Sequence, residues 1–260
     1  ETPEFSSVFA IKPPDFHGVV PRLLVKEGDS VKAGDPLFFE KTNEHIKFCS
    51  PVSGEVAEVV RGAKRRILEI RILADKQREF RDFGAKNTSS MSKEELRAHL
   101  LEGGMWPFLR QRPFDVMADP SINPKAIFIS GFDSAPLAPD VEIVMKDKMA
   151  DFQVGVDALK KLIGDNPVHI SHKAGSSVYG NIRGAELHSV SGPHPAGNVG
   201  VQIHHIDPIN KGETVWSIAP QDVVNIGRFL STGKFDLQHT IAVTGANAKK
   251  PHYYNVVLGA

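Results

Sequence analysis

Up to about residue 75 the apolar residues come in short runs, some alternating with polar ones. This period-two or strand-length pattern predicts β-strands over Val19–Val25, Pro36–Glu40, Ile46–Phe48, Glu55–Val60 and Ile67–Leu73. Gly28, Gly34, Gly54 and Gly62 punctuate the runs, and Asp29 and Asp35 each follow a glycine directly. Glycine supplies the positive φ that tight turns between strands require. No helical spacing occurs before Met91. Residues 1–82 therefore read as a small, all-β unit.

The period then changes. Ser92-Lys93-Glu94-Glu95 is a capping box, in which Ser92 holds the Glu95 amide and Glu95 reaches back. Leu96, Leu100 and Leu101 form an apolar stripe, and Gly103-Gly104 stops the helix. Arg112-Pro113-Phe114 through Asp119-Pro120 reads as an extended connector, so 83–122 forms a helical segment and linker. From Lys125 strands and helices alternate. Strands are predicted over Ala126–Ser130, Pro167–Ser171, Ala185–Val190, Thr214–Ile218 and His239–Thr244. Helices are predicted over Phe152–Ile163, ended by Gly164, and Pro220–Leu230, followed by Gly233. That alternation indicates an α/β domain with a mostly parallel sheet over 123–250. Tyr253–Leu258 reads as a strand that is cut off, so 251–260 is taken as the start of a further domain.

Composition excludes several functions. Among 260 residues, 31 Lys and Arg balance 31 Asp and Glu, so no global field recruits nucleic acid or anionic lipid. No basic stripe with interleaved aromatics supports nucleic-acid binding either. The lone Cys49 excludes an internal disulfide framework and a cysteine-based zinc or iron–sulfur site. No apolar run approaches the ~20 residues of a membrane helix, and there is no signal peptide. The chain begins at Glu1 without Met, which reads as a trimmed start.

Two strings give the β unit a more specific form. Val25-Lys26-Glu27-Gly28-Asp29-Ser30-Val31-Lys32-Ala33-Gly34-Asp35-Pro36-Leu37 places two glycine turns about one short strand, and Ser50-Pro51-Val52-Ser53-Gly54-Glu55-Val56 follows after a hairpin-sized gap. Together they resemble the lipoyl/biotinyl β barrel-sandwich. Carriers of that fold have a lysine at the hairpin tip. Counting back from Ser50, the tip falls near Thr42-Asn43-Glu44, with Asn43 at the lysine position and Lys41 on the strand. The module therefore reads as structural or docking; a slipped alignment would bring Lys41 to the tip. The turn Arg61-Gly62-Ala63-Lys64-Arg65-Arg66 carries four cations. Arg61, Lys64, Arg65 and Arg66 are candidates for docking an acidic partner, against the alternative of a solvated turn.

A flavin or dinucleotide site needs a glycine-rich turn between a strand and a helix. After Ala126–Ser130 the chain has Gly131-Phe132-Asp133-Ser134-Ala135-Pro136, not G-x-G-x-x-G, and Phe132 and Pro136 would obstruct close approach. No bound flavin or NADH is expected. A second candidate is the loop Gly192–Gly200, with glycines at 192, 197 and 200 around His194, then His204 and His205. Histidines at 169, 172 and 188 crowd the same stretch. Gly192, His194, Gly197, His204 and His205 are candidates for quinone or partner contact through imidazole hydrogen bonding. A rigid loop with solvated imidazoles is the alternative; a metal is a third, without zincin-type spacing. No nucleophile elbow or catalytic triad occurs. Trp106 with Phe108, and Trp216, read as core or interface anchors.

Several strings, in order, resemble the A-type subunits of the Na⁺-translocating NADH:quinone reductases. They are the lipoyl-like header, Arg61–Arg65, Leu109-Arg110-Gln111-Arg112-Pro113-Phe114, and Pro124-Lys125-Ala126-Ile127-Phe128. Further on come Ser191-Gly192-Pro193-His194-Pro195-Ala196-Gly197, Val215-Trp216, Gln221-Asp222-Val223 and the closing Leu258-Gly259-Ala260. The resemblance covers almost the whole chain. It implies a Rossmann-like α/β domain, after the lipoyl-like module, similar to the core of the flavin-binding subunit of respiratory complex I. It further implies a peripheral subunit on the cytoplasmic face of a bacterial inner membrane, beside five other subunits and next to a membrane subunit. NADH and ubiquinone or menaquinone would be substrates of the whole complex, with this chain alone not catalytic. A family member would continue into a β-grasp-type domain, and similarity extends to the C-type subunit of the related Rnf electron-transport complex. The competing readings are a lipoyl or biotin carrier fused to an α/β enzyme, and a stand-alone flavoprotein.

Overall fold

The computed structural model describes residues 3–259; Glu1 and Thr2, and Ala260 of the closing string, lie outside them. The first unit has seven strands: β1 (Val8–Ile11), β2 (Pro21–Leu23), β3 (Ser30–Val31), β4 (Pro36–Glu40), β5 (Asn43–Cys49), β6 (Gly54–Arg61) and β7 (Ile67–Ala74). They form two antiparallel sheets, ordered β1-β7-β6-β3 and β2-β4-β5. Alternate residues point inward. Phe9, Leu37, Phe38, Val52, Val56, Ile70 and Ile72 are all buried in one core. Phe38 stacks on Phe48 with centroids 4.4 Å apart. The Gly54 position needs glycine: its φ is +153°, and a Cβ there would lie 2.1 Å from the Leu73 carbonyl oxygen.

The hairpin tip differs from the sequence expectation. Glu40 pairs with Asn43, so the turn is Lys41-Thr42 and Asn43 opens the return strand. The cause is the buried Glu40 carboxylate. It accepts from the amides of Thr42 at 2.6 Å and Asn43 at 3.1 Å, from the Thr42 hydroxyl, and from the Val20 amide at 3.4 Å. Pairing then slips between Phe39 and Glu40, leaving the tip asymmetric.

The rest of the chain contributes α1 (Lys93–Glu102), β8 (Arg110–Arg112), β9 (Val116–Met117), β10 (Ile127–Ser130), α2 (Val141–Met145), α3 (Met149–Ile163), β11 (Val168–Lys173) and β12 (Glu186–Val190). It continues with α4 (Val199–Ile206), β13 (Val215–Ile218), α5 (Pro220–Thr232), β14 (Gln238–Val243) and β15 (His252–Val257). The capping box forms: Ser92 Oγ accepts from the Glu95 amide at 3.1 Å, and Glu95 Oε2 from the Ser92 amide at 2.7 Å.

A six-stranded sheet runs β12-β11-β10-β13-β8-β9. The first four strands are parallel, and β8 and β9 join antiparallel. The residues read as an extended connector thus start on the sheet: Arg112 pairs with Val215 and Gln111 with Trp216, because β13 otherwise leaves that edge unpaired. The strand predicted at 239–244 does not enter this sheet. It is β14, paired antiparallel with β15, so the closing residues complete a hairpin.

The two faces of β10 go to different layers. Ile127 and Ile129 join the core of α3 and α5, whereas Ala126 and Phe128 pack with Ile203 of α4. Helices α3 and α5 meet at two glycines, Gly155 and Gly227, with no room for a methyl group at either. The strap 77–86 ties the two units. Its Glu79 and Arg81 bond both sides of Ala33, at 2.9 Å each; its Phe83 and Lys86 amides donate to Gly233 and Leu230 at the end of α5. Arg78 pairs with Asp236 at 2.7 Å and Arg81 with Glu102 at 2.6 Å, where Lys47 of the sandwich also pairs.

Candidate functional site

Strand order sets the position of the site. From β10 the chain steps outward through β11 and β12, then returns to the other side of β10 as β13. Loops leaving β10 and β13 therefore diverge, and such a divergence opens a crevice at the carboxyl ends of the strands. A cleft of about 1090 Å³ lies there. One wall is the loop after β10, with Gly131, Phe132 and Asp133; another is Ala219-Pro220 after β13. The start of α4 and residues Asp15-Phe16 of the sandwich close the sides.

The polar groups of the cleft come mainly from β8 and β13. Arg112 donates to Ser217 Oγ at 3.3 Å. Arg110 donates to the Asp115 carbonyl at 2.5 Å, and both guanidiniums lie 3.4 Å from the one Asp115 carboxylate. The two cations share this one anion, in a cleft whose lining also carries Asp15, Asp133 and Asp222. Opposite, His239 Nε2 lies 2.9 Å from Asp222 Oδ1. Phe108, Phe132, Val144 and Met145 supply apolar surface. Pairing of apolar walls with a few convergent polar groups suits a small organic ligand. Sequence reasoning missed Arg110, Arg112, Ser217, Asp222 and His239 as site residues. Several belong to strings that mark the family, but only the strand order brings them together.

The glycine after β10 is not there for a ligand. A Cβ on Gly131 would lie 2.6 Å from both the Ser171 carbonyl oxygen and the Tyr179 ring, so its lack of side chain serves packing. Tyr179 is buried, its hydroxyl donates to the Gly131 carbonyl at 3.2 Å, and burial pushes its pKa well above the usual phenol value.

Of the loop 192–198, Gly192, Pro193 and His194 line a second pocket of about 840 Å³, whereas Gly197 and Asn198 line the cleft itself. His194 is exposed, with Nδ1 3.1 Å from Ser134 Oγ. The same hydroxyl accepts from the Gly197 amide at 2.8 Å. A Cβ on Gly197 would meet the Ser134 amide nitrogen at 2.4 Å, so the two loops touch backbone to backbone. Gly192, at φ +149°, is exposed. His204 and His205 are not with His194. They sit exposed in the last turn of α4, about 9 Å along the helix from its start. The histidine crowd thus divides. Among the described residues His172 meets the neighbouring Lys173 carbonyl, at 3.2 Å. His169 and His188 meet across the edge pair β11 and β12, and neither lines the cleft.

The basic turn is exposed at Arg61, Lys64, Arg65 and Arg66, and none of the four forms an ion pair among the described residues. Lys64 and Arg65 adopt φ of +55° and +60°, a left-handed conformation uncommon outside glycine. Trp106 and Trp216 are buried, as anchors. No helix of the described residues is long and apolar enough to cross a membrane.

Comparison with known proteins gives two family matches. The NqrA N-terminal barrel-sandwich hybrid domain matches residues 1–75, and the NqrA second alpha/beta domain matches residues 91–235. The A-type subunit of the Na(+)-translocating NADH-quinone reductase of Neisseria meningitidis serogroup A is 38% identical over 249 residues, covering 95% of this chain and 56% of the relative. That of Serratia proteamaculans is 36% identical over 253 residues, with 95% and 56% covered. That of Pseudomonas aeruginosa is 36% identical over 249 residues, with 95% and 55% covered. The chain spans about half the length of these curated relatives. The sandwich, the six-stranded α/β sheet and both matched domains agree, and the chain belongs to the NqrA family, the A-type subunits of Na(+)-translocating NADH-quinone reductases.

Proposed function

We propose that this chain is the docking and ligand-shaping part of a peripheral subunit of the NADH-quinone reductase, on the cytoplasmic face of a bacterial inner membrane. It contributes to NADH-driven quinone reduction coupled to Na⁺ export, beside five other subunits, and carries no flavin of its own. The strand order of β10–β13 supports the Rossmann-like reading. The observation that carries the proposal is the cleft. Its apolar walls and its Arg110, Arg112 and Ser217 donors suit a flat ring with two carbonyl oxygens. Its glycine is occupied by Tyr179 rather than open to a pyrophosphate. His194 would stand at the rim. The basic turn at 61–66, exposed and without an ion pair among the described residues, suits an acidic partner surface.

Two experiments on the assembled complex test this. A photoreactive quinone should label peptides containing Phe132 or Ser217, and excess natural quinone should suppress the label; labelling confined to other subunits defeats the quinone part. Arg65→Glu with Arg66→Glu should weaken retention of this polypeptide in the complex; full retention defeats the docking part. The carrier alternative keeps one point of support, since Lys41 is exposed in the hairpin turn. Intact mass of the protein, expressed with lipoyl and biotinyl ligases, should show no addition at Lys41.

A further inference from the structure

We propose that His169, Glu186 and His188 form a binding site for a divalent transition ion of the zinc class, clamping the edge strand β12 to β11. The three residues are brought together by register. His169 on β11 pairs with Glu186 on β12, and His188 follows two residues on, so Glu186 and His188 share a face. His169 Nδ1 lies 3.0 Å from His188 Nε2 and 3.4 Å from Glu186 Oε2. All three donor atoms fall within 4.8 Å of one another.

These distances suit ligands about a common ion. Two nitrogens each about 2.0–2.1 Å from a tetrahedral zinc stand about 3.3 Å apart. A proton satisfies the cluster less completely. One N–H can serve the His169–His188 contact, but the carboxylate is then left at 3.4 Å, beyond a good hydrogen bond. A cation serves all three atoms at once. His169 is buried, and its other nitrogen, Nε2, is enclosed without a hydrogen-bond partner among the described residues, beside the Phe128 ring. Only Nδ1 is therefore available for coordination.

The donor set is two imidazoles and one carboxylate; the imidazoles, borderline nitrogen donors, select zinc-like ions over calcium or magnesium. Glu186 is exposed and His188 half-buried, so an ion has a path from the sheet edge and a fourth position open to water. None of the three residues lines the cleft, and they sit on the edge pair β11–β12, which makes their role a clip on the edge strand rather than a part of quinone chemistry. It does not depend on the function proposed above.

The test uses the full-length protein purified without a histidine tag. Equilibrium dialysis against Zn²⁺, with metal analysis, should find one tightly held ion per chain, and Co²⁺ should give a tetrahedral absorption spectrum. His188→Gln and Glu186→Gln sit at the surface and should fold, which a thermal melt without metal checks. Each should weaken Zn²⁺ binding by at least roughly 10–100-fold, the range for lesser, outer-shell losses, and His188→Gln should abolish the cobalt spectrum. Zn²⁺ should raise the melting temperature of the unaltered chain and of neither variant. Absence of stoichiometric uptake, or uptake unchanged in both folded variants, overturns the proposal.

Discussion

Gly227 of α5 faces the Asp151 carbonyl of α3 so closely that a Cβ would lie 1.8 Å from the oxygen. Gly155 answers from α3, where a Cβ would meet the Val223 carbonyl oxygen at 2.2 Å. The two helices cross with backbones nearly touching, and the obstruction is backbone, which cannot swing aside. Gly227→Ala should therefore destabilise the chain by about 3 kcal/mol, the upper range for overpacking. A thermal melt should show a fall of roughly 6–12 °C.

Cys49 gives a chemical prediction. Its thiol is buried, and burial raises its pKa from 9.0 to about 12, against the opposing charges of Arg81 and Lys47. The thiolate is the reactive form. Native chain should resist alkylation at neutral pH and react only after unfolding, which mass spectrometry over a urea series would follow. Alkylation of the native chain at the rate of a free thiol would contradict the packing against Gly104.

The loops around His194 meet through one hydroxyl. Ser134 Oγ holds the Gly197 amide and touches His194 Nδ1. Ser134→Ala leaves that amide, on a buried residue, without its acceptor, a loss of about 1–3 kcal/mol. Hydrogen exchange at Gly197 should speed up roughly tenfold or more, while amides of β10 keep their protection.

His99 makes stability depend on pH. It packs on Phe229 with centroids 4.9 Å apart, and its Nε2 is buried without a hydrogen-bond partner among the described residues. Burial, then the charge of Lys86, hold the ring below its usual range. The unfolded chain thus binds the proton more readily. The contribution of the neutral ring is complete above the unfolded value of about 6.5, is lost as pH falls below it, and levels off once the folded ring protonates. Urea midpoints measured from about pH 8 to about pH 5 should fall toward acid, and His99→Gln should flatten that fall. His169 is shifted the same way, so part of the slope should remain.

Local signals in the sequence carry far. Ser92 and Glu95 cap α1 as their spacing requires, and β4 begins and ends at Pro36 and Glu40 as its apolar run does. Signals that depend on a distant partner do not carry. Strand β1 holds four residues, too short for a period, and is defined by pairing to β7. Helix α4 is not predicted, and the expected loop runs on to Gly200, because Val199-Gly200-Val201 is poor helix sequence; packing of Ile203 on Phe128 outweighs that preference. Counting back from Ser50 misplaces the hairpin tip, since the slip beyond Phe39 consumes the residues that a regular hairpin would pair.

The candidate site divides similarly. The loop around His194 is visible in the sequence because glycine and proline mark it. The cleft is not, because Arg112 and Ser217 lie 105 residues apart and meet only in the finished sheet. In the sequence His169 and His188 are members of a crowd; their separation from His194, His204 and His205 is a matter of strand register.

The strap at 77–86 has a mechanical consequence. Its amides and carbonyls engage Ala33 on one side and the end of α5 on the other, and Lys47 and Arg81 share Glu102. Such a joint transmits torque instead of absorbing it. A push on the cationic turn at 61–66 would therefore turn both units together and leave Phe16 in place in the lining of the cleft.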